Sequence, residues 1–365
     1  MALKNPDDPP RIGKRWPHKA LNLLPAHRVW DFLRKRSGAH LPEASFNLGP
    51  DLDASKRILI ALPDGFQENL VAFPVVRSLV RERPQTEFMF LIEQGLTGFL
   101  AALLGSDRVV GVRKEDLFWG EPHFLELRRI TADFRPDVAL NLRRNTPALV
   151  HFLLRASQAR IRVQAEGDAP DGFANISLRA SEPENHLRRF ALAAALWNSG
   201  SHPVPVKWAR LSAGPENLKE ADARLQAAGL GSGSARLFLW QHANSPRERA
   251  ALRAARSAPS GAGPLLLVHG GGPLFPTPPP PADLVAGLPT LQVDATGLML
   301  GLFARSRRSI GVNGPLLHLA SLADTEVEAH FGPEDRAWDT SWLNTRLKVV
   351  YDAGQSEPPV RNAGS

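Results

Sequence analysis

Ser309-Ile310-Gly311-Val312-Asn313-Gly314-Pro315-Leu316-Leu317-His318-Leu319-Ala320-Ser321-Leu322, continuing to Ala329-His330-Phe331-Gly332-Pro333-Glu334, is the stretch from which the fold can be read. A short apolar run stops at Asn-Gly-Pro, an apolar-periodic segment carrying one His follows, and a second short run stops at Phe-Gly-Pro. The pattern predicts strand, loop, helix, strand, loop, with breakers where each strand ends. An Asn-Gly-Pro turn aims the first amides of the following helix above the sheet, which favours an anion there. This is a ligand crevice at the carboxyl edge of a parallel sheet, or, in the plainer reading, an αβ turn with a packed core His.

Working back from that stretch, the same alternation recurs. Strands are expected at Arg57–Leu62, Glu87–Ile92, Val109–Val112 and Pro136–Leu142, and helices at Asn69–Arg83, Gly95–Leu104, His123–Phe134, Thr146–Ala156 and Pro183–Ser199. A second series has strands at Leu237–Trp240 and Leu265–Val268 and helices at Pro246–Ser257 and Leu298–Arg305. Between them, the prolines of Pro273–Pro281 forbid a helix and call for a polyproline loop. Strands alternating with helices of this length require right-handed βαβ units on parallel sheets. The expected class is α/β, two Rossmann-like doubly wound domains facing a central cleft. The divisions are an extension over residues 1–56, domains over 57–200 and 201–345, and a tail over 346–365, with a linker near Gly200–Pro205.

A chain of 365 residues suits two such domains. With 43% apolar and 22% charged residues it is globular rather than disordered. It holds no Cys, which excludes disulfides and Cys-based zinc sites. No apolar run approaches the length of a membrane span, and the start lacks a signal-peptide h-region. The net charge of +7 favours anionic partners such as nucleotides, phosphorylated glycolipids or an acidic bilayer surface. The excess Arg is scattered without interleaved aromatics, which speaks against nucleic acid. Ala20–Lys35 is basic and amphipathic, suited to an acidic membrane surface or to bracing a domain, and Pro25 favours the brace.

Several motifs together resemble glycosyltransferase family 9, the bacterial ADP-heptose:lipopolysaccharide heptosyltransferases. Ile58-Leu59-Ile60, then Glu68, then Ala72-Phe73-Pro74-Val75-Val76-Arg77-Ser78-Leu79 are similar to the family's first strand, acidic loop and first helix. Arg135-Pro136-Asp137-Val138-Ala139-Leu140-Asn141-Leu142-Arg143 resembles its middle signature. Gly311 to Ala320, followed by Phe331-Gly332-Pro333, resembles its C-terminal Gly-Asn-Asp-Ser/Thr-Gly-Pro-Met-His-Leu-Ala segment. The resemblance spans roughly residues 57–340. The chain departs where chemistry is carried: Glu68 replaces an Asp, Asp64 and Gln67 replace glycines, and Asn313-Gly314 replace Asp-Ser/Thr. The loop Gln241–Arg247 keeps Ser245 but shows no Lys.

The resemblance implies a GT-B fold and an inverting, metal-independent transfer of a heptose or related sugar from a nucleotide-diphosphate donor, with an ADP-sugar expected, to an envelope glycolipid or glycan. It also implies a bacterial, cytoplasmic protein, with possible peripheral contact at the inner face of the membrane. Such transfer needs a base for the acceptor hydroxyl and a positive environment for the departing diphosphate. Glu68 is the candidate base, or else a carboxylate favoured at its helix N-terminus. Donor candidates are His242, Ser245, Arg247, His269, Gly270, Gly271, Asn313, Gly314 and His318, the last equally a core residue. Acceptor candidates are Asp64, Arg143 and Arg144, and no cofactor or metal is called for. The substitutions also fit a catalytically silent relative that serves as a binding or scaffold subunit.

Overall fold

The computed structural model describes residues 45–105, 108–113, 122–144, 146, 148–164, 173–178, 185–201, 204–242, 245–259, 262–323, 325–341 and 343–351. These divide into two compact units. One holds the residues up to Leu62, Gln85–Ala101 and those from Gly105 to Leu178; the other holds Pro63–Pro84, Ala102–Leu104 and those from Asn185 onward. Ala20–Lys35 lies outside the described residues.

In the first unit β1 (Arg57–Ala61), β2 (Glu87–Glu93), β3 (Val109–Val112), β4 (Val138–Asn141), β5 (Ile161–Gln164) and β6 (Ile176–Ser177) form one sheet. Its order is β3-β2-β1-β4-β5-β6 and every pairing is parallel. α1 (Leu48–Asp53) precedes β1 and α3 (Thr97–Leu104) follows β2, while α2 (Phe66–Glu82), next after β1 in the chain, belongs to the second unit. α4 (Pro122–Phe134) and α5 (Ala148–Ala156) flank β4. Phe124, Leu127 and Phe134 of α4 and Leu149, Phe152 and Leu153 of α5 pack on Leu59, Met89, Leu91 and Ala139 of the strands. β1 is solvent-free beyond its first residue, as a strand covered on both faces requires.

The extension expected over 1–56 gives up its last residues to this unit. Leu52 of α1 is fully buried, Arg160 pairs with Asp51, and the Lys56 and Arg57 amides donate to Asp137 Oδ2 at 2.8 and 2.9 Å.

In the second unit α6 (His186–Ala195) and α7 (Pro215–Ala227) precede β7 (Arg236–Trp240), α8 (Pro246–Arg256), β8 (Leu265–Gly270), α9 (Ala282–Val285) and β9 (Thr290–Val293). After them come α10 (Thr296–Arg305), β10 (Arg308–Val312), α11 (Pro315–Leu322), β11 (Glu326–Phe331) and β12 (Leu347–Tyr351). The sheet runs β12-β11-β10-β7-β8-β9, again wholly parallel, which repeats the first sheet's winding. Trp240, Leu252, Leu267, Ile310 and Val312 centre the apolar core between strands and α8.

The expected strands and helices are all present, with ends shifted by up to four residues. Among the described residues, seven elements are additional: α1, α7, α9, β5, β6, β9 and β12. α7 buries only Ala221 and Leu225 of a charge-rich helix, so its periodicity is faint. β5, β6 and β9 are short and carry polar residues. The tail expected over 346–365 is corrected at its start: Leu347–Tyr351 pairs in register with Val327–Phe331 as an edge strand whose mixed polarity disguises it. Pro273–Pro281 forms neither helix nor strand, as its prolines dictate.

Candidate functional site

The winding of the second sheet reverses between β7 and β10, where helices leave toward opposite faces and ligands of open α/β sheets settle. The carboxyl ends of those two strands deliver Gln241-His242 and Asn313-Gly314.

Asn313 is a hub there. Its Oδ1 accepts from Gln67 Nε2 at 2.8 Å and contacts His318 Nε2 at 3.0 Å. Its Nδ2 donates to Asp335 Oδ1 at 2.9 Å, and its carbonyl lies 2.9 Å from His242 Nε2. The orientation of the amide is forced, because a carboxylate only accepts. Oδ1 therefore carries no hydrogen, and both His318 Nε2 and His242 Nε2 must be donors. Where the resembling family carries Asp, this chain uses an amide whose NH2 satisfies Asp335.

His318 is buried, 2% exposed, beside Trp338, whose ring centroid lies 5.6 Å away. Burial, reinforced by His186, pushes its pKa down to about 3, so the ring is neutral at physiological pH. A buried base with a lowered pKa supports the fold fully above its unfolded value near 6.5 and withdraws that support as pH falls toward 3. His318→Gln is expected to flatten the stability loss between pH 6.5 and 4, read by urea unfolding at both ends. An unchanged slope would mean that His318 does not carry it. The ring packs in the interior, with its Nε2 against Asn313 Oδ1.

Around the hub, Gln241 stitches three elements together. Its Nε2 donates to Val312 O at 3.0 Å, and its Oε1 accepts the Leu316 amide at 2.7 Å. That amide, expected to face an anion, is thereby satisfied from within. Gly314 has no side chain because Gln241 lies there; a Cβ would come 2.5 Å from Oε1. Behind Gln241 sits Glu248, with no solvent exposure, accepting the Gln241 and His242 amides at 2.7 and 2.8 Å. Burial pushes its pKa up to about 7 against the lowering effect of those two amides.

Ser245 is the N-cap of α8, its side chain accepting from the Glu248 amide. Arg247 pairs with Glu334 at 2.7 Å and Asp335 at 3.1 Å, and lies against Gly332. Its charge is matched by carboxylates. His269 is the penultimate residue of β8, 7% exposed, with Nδ1 lacking a hydrogen-bond partner among the described residues; burial lowers its pKa. Gly270 and Gly271 admit their own chain rather than opening toward a ligand. A Cβ on Gly270 would meet Phe275 O at 2.1 Å, and one on Gly271 would meet Gln292 and Asp294 at 2.0 and 2.1 Å.

Glu68 is the third residue of α2, which starts after Gly65 at φ 84°. A Cβ on Gly65 would lie 2.6 Å from Glu68 Oε2, so the carboxylate folds back over the helix start. Gln67, its neighbour in the chain, is the residue bonded to Asn313, which ties the start of α2 to the hub. Asp64 is half-buried in the same loop. Arg143 and Arg144 belong to the first unit, past the carboxyl end of β4. Arg143 is buried at 2% exposure, its amide held by Asn141 Oδ1 and its carbonyl by Gln164 Nε2, while Arg144 is exposed.

The structure thus joins His242, Asn313, Gly314 and His318 in one place, with Ser245 and Arg247 on the adjoining helix. Gln67, Gln241, Glu248 and Asp335 were not anticipated as its partners. Ser245-Pro-Arg-Glu248 carries the spacing of a capping box, the one sequence signal that points to Glu248.

Two wholly parallel six-stranded sheets of the same winding, each with its helices, define a GT-B type glycosyltransferase fold of two Rossmann-like units. Among solved structures, a glycosyltransferase family 9 protein from Veillonella parvula matches with a TM-score of 0.62 at 16% identity, over 81% of this chain and 86% of that one. The E. coli ADP-heptose lipopolysaccharide heptosyltransferase II matches with a TM-score of 0.56 at 14% identity, over 80% and 90%. The E. coli heptosyltransferase WaaC, solved with ADP-2-deoxy-2-fluoro heptose, gives 0.50 at 15% identity, over 80% and 92%. No protein-family model and no curated protein matches the sequence. At these identities the likeness is one of fold.

Proposed function

We propose that this chain is an inverting, metal-independent glycosyltransferase that moves a heptose or related sugar from an ADP-sugar to an anionic envelope glycolipid or glycan. The observation that supports the reading is the Gln67–Asn313 hydrogen bond, which ties the start of α2, the helix that carries the candidate base Glu68, to the switch point of the second sheet. In this mechanism Glu68 takes the proton of the acceptor hydroxyl. The hydroxyl oxygen then forms a bond to the anomeric carbon, and the nucleoside diphosphate departs from the opposite face with the electron pair of the broken bond. His242, Ser245 and Arg247 border the diphosphate, and Arg247 exchanges its Glu334 partner for a phosphate oxygen.

ADP at a hundredfold excess over its Kd is expected to raise the Tm by about 5–10 °C. Glu68→Ala is expected to leave that shift intact and to slow transfer about 10²–10⁴-fold. The absence of a shift with ADP and with other nucleotide sugars would remove donor binding.

A second reading rests on a specific feature. Ser245, Arg247 and the Leu316 amide all have internal partners, as suits a catalytically silent relative retained as a binding or scaffold subunit. For that protein Glu68→Ala changes no transfer activity and leaves partner binding unaffected.

A further inference from the structure

Away from the switch point, the second unit carries a basic concavity of about 220 Å³ lined by Pro74, Arg77, Ser78, Arg81 and residues 207–210. Arg77 and Arg81 lie one turn apart on α2, where like charges repel. Lys207 and Arg210 converge on them from the extended segment before α7, so that among the described residues four cations and no carboxylate line the wall. Glu82, beside the pocket, pairs with Arg81, an exposed contact of the kind worth little in water.

The Arg77 guanidinium and the backbone that carries Lys207 are held in place. Arg77 Nη1 donates to Arg210 O at 2.9 Å, and its guanidinium stands 5.8 Å over the Phe73 ring. The Lys207 amide donates to Ser78 Oγ at 3.1 Å. Trp208 is half-buried and pinned by Nε1 donating to Ser321 O at 3.0 Å, which makes its indole a fixed apolar surface in the pocket. Whole nucleotides occupy pockets of about 300–1,000 Å³, more than this one offers.

We propose that this pocket binds a phosphate monoester carried on a single ring, the phosphate among Arg77, Arg81, Lys207 and Arg210 and the ring against Trp208. Guanidinium and ammonium groups recognise such a dianion through charge-assisted hydrogen bonds. A free sugar phosphate and a phosphorylated lipid headgroup share this chemistry. The site is independent of the donor reading above.

The test uses the full chain and the double variant Arg81→Ser/Lys207→Ser, two exposed positions outside the switch point. Titration calorimetry with glucose 1-phosphate, inorganic phosphate and glucose is paired with sedimentation on phosphatidylcholine vesicles with and without phosphatidylinositol 4-phosphate. Each lost cation is expected to weaken binding about tenfold, while the Tm and the ADP response stay as in the parent. Glucose 1-phosphate binding that the variant loses identifies a free sugar phosphate; vesicle binding that it loses identifies a headgroup. Neither probe binding the parent, or both binding the variant equally well, overturns the site. Glucose 1-phosphate binding no tighter than inorganic phosphate overturns the role of Trp208.

Discussion

Asn313→Asp is expected to destabilise the protein by about 2–4 kcal/mol at pH 7, lowering the Tm by about 5–10 °C. The substitution installs the residue that the resembling family carries, and it differs from Asn by one atom. In this chain, however, Asn313 Nδ2 donates to Asp335 Oδ1 at 2.9 Å, so an Asp would set two carboxylate oxygens at that distance. Like charges so close cannot both ionise without cost, and one carboxyl must take up a proton. The loss is therefore expected to shrink as pH falls toward 5. Asp335→Asn in the same chain is expected to restore most of the lost stability, because it returns an amide to the pair. Thermal unfolding of both single variants and the double variant gives the coupling directly. An Asn313→Asp protein as stable as its parent would show that the hub does not hold Asp335.

Glu248 carries the second large effect. Its carboxylate accepts two successive amides at the end of β7 and keeps Gln241 in place to bind Val312 O and the Leu316 amide. Glu248→Gln offers one acceptor to two donors and is expected to cost about 1–3 kcal/mol; Glu248→Ala offers none and costs more. The penalty depends on pH. An acid whose folded pKa is raised supports the fold fully below its unfolded value near 4.5 and loses that support as pH climbs through about 7. Over that window the contribution falls by about 3 kcal/mol. The gap between parent and variant is thus expected to be widest near pH 5 and to narrow by pH 8, as measured by urea unfolding. A gap that is constant with pH would mean that Glu248 titrates elsewhere. Because Gln241 loosens in either variant, ADP affinity is expected to fall with stability.

Much of the architecture was legible in the chain. Ile58-Leu59-Ile60 and Leu237-Phe238-Leu239-Trp240 are apolar without alternation, which marks strands covered on both faces, and Asn313-Gly314-Pro315 punctuates its strand and helix. α7 and β12 escaped because burial reaches too few of their residues to imprint a period. Gly270 and Gly271 were legible as close-approach positions, but the approaching group is the chain itself.

Periodicity and breakers report on which face of an element is buried, and that local information sufficed for the class, the parallel winding and the place of the His242, Asn313 and His318 cluster. They carry nothing about which polar atoms meet across the chain. Gln67 and Asn313 are 246 residues apart, and only the folded backbone brings their side chains within 2.8 Å. The same holds for Asp335 beneath Asn313 and for His318 turned inward. A hydrogen bond depends on tenths of an ångström, which sequence spacing does not encode and tertiary packing sets.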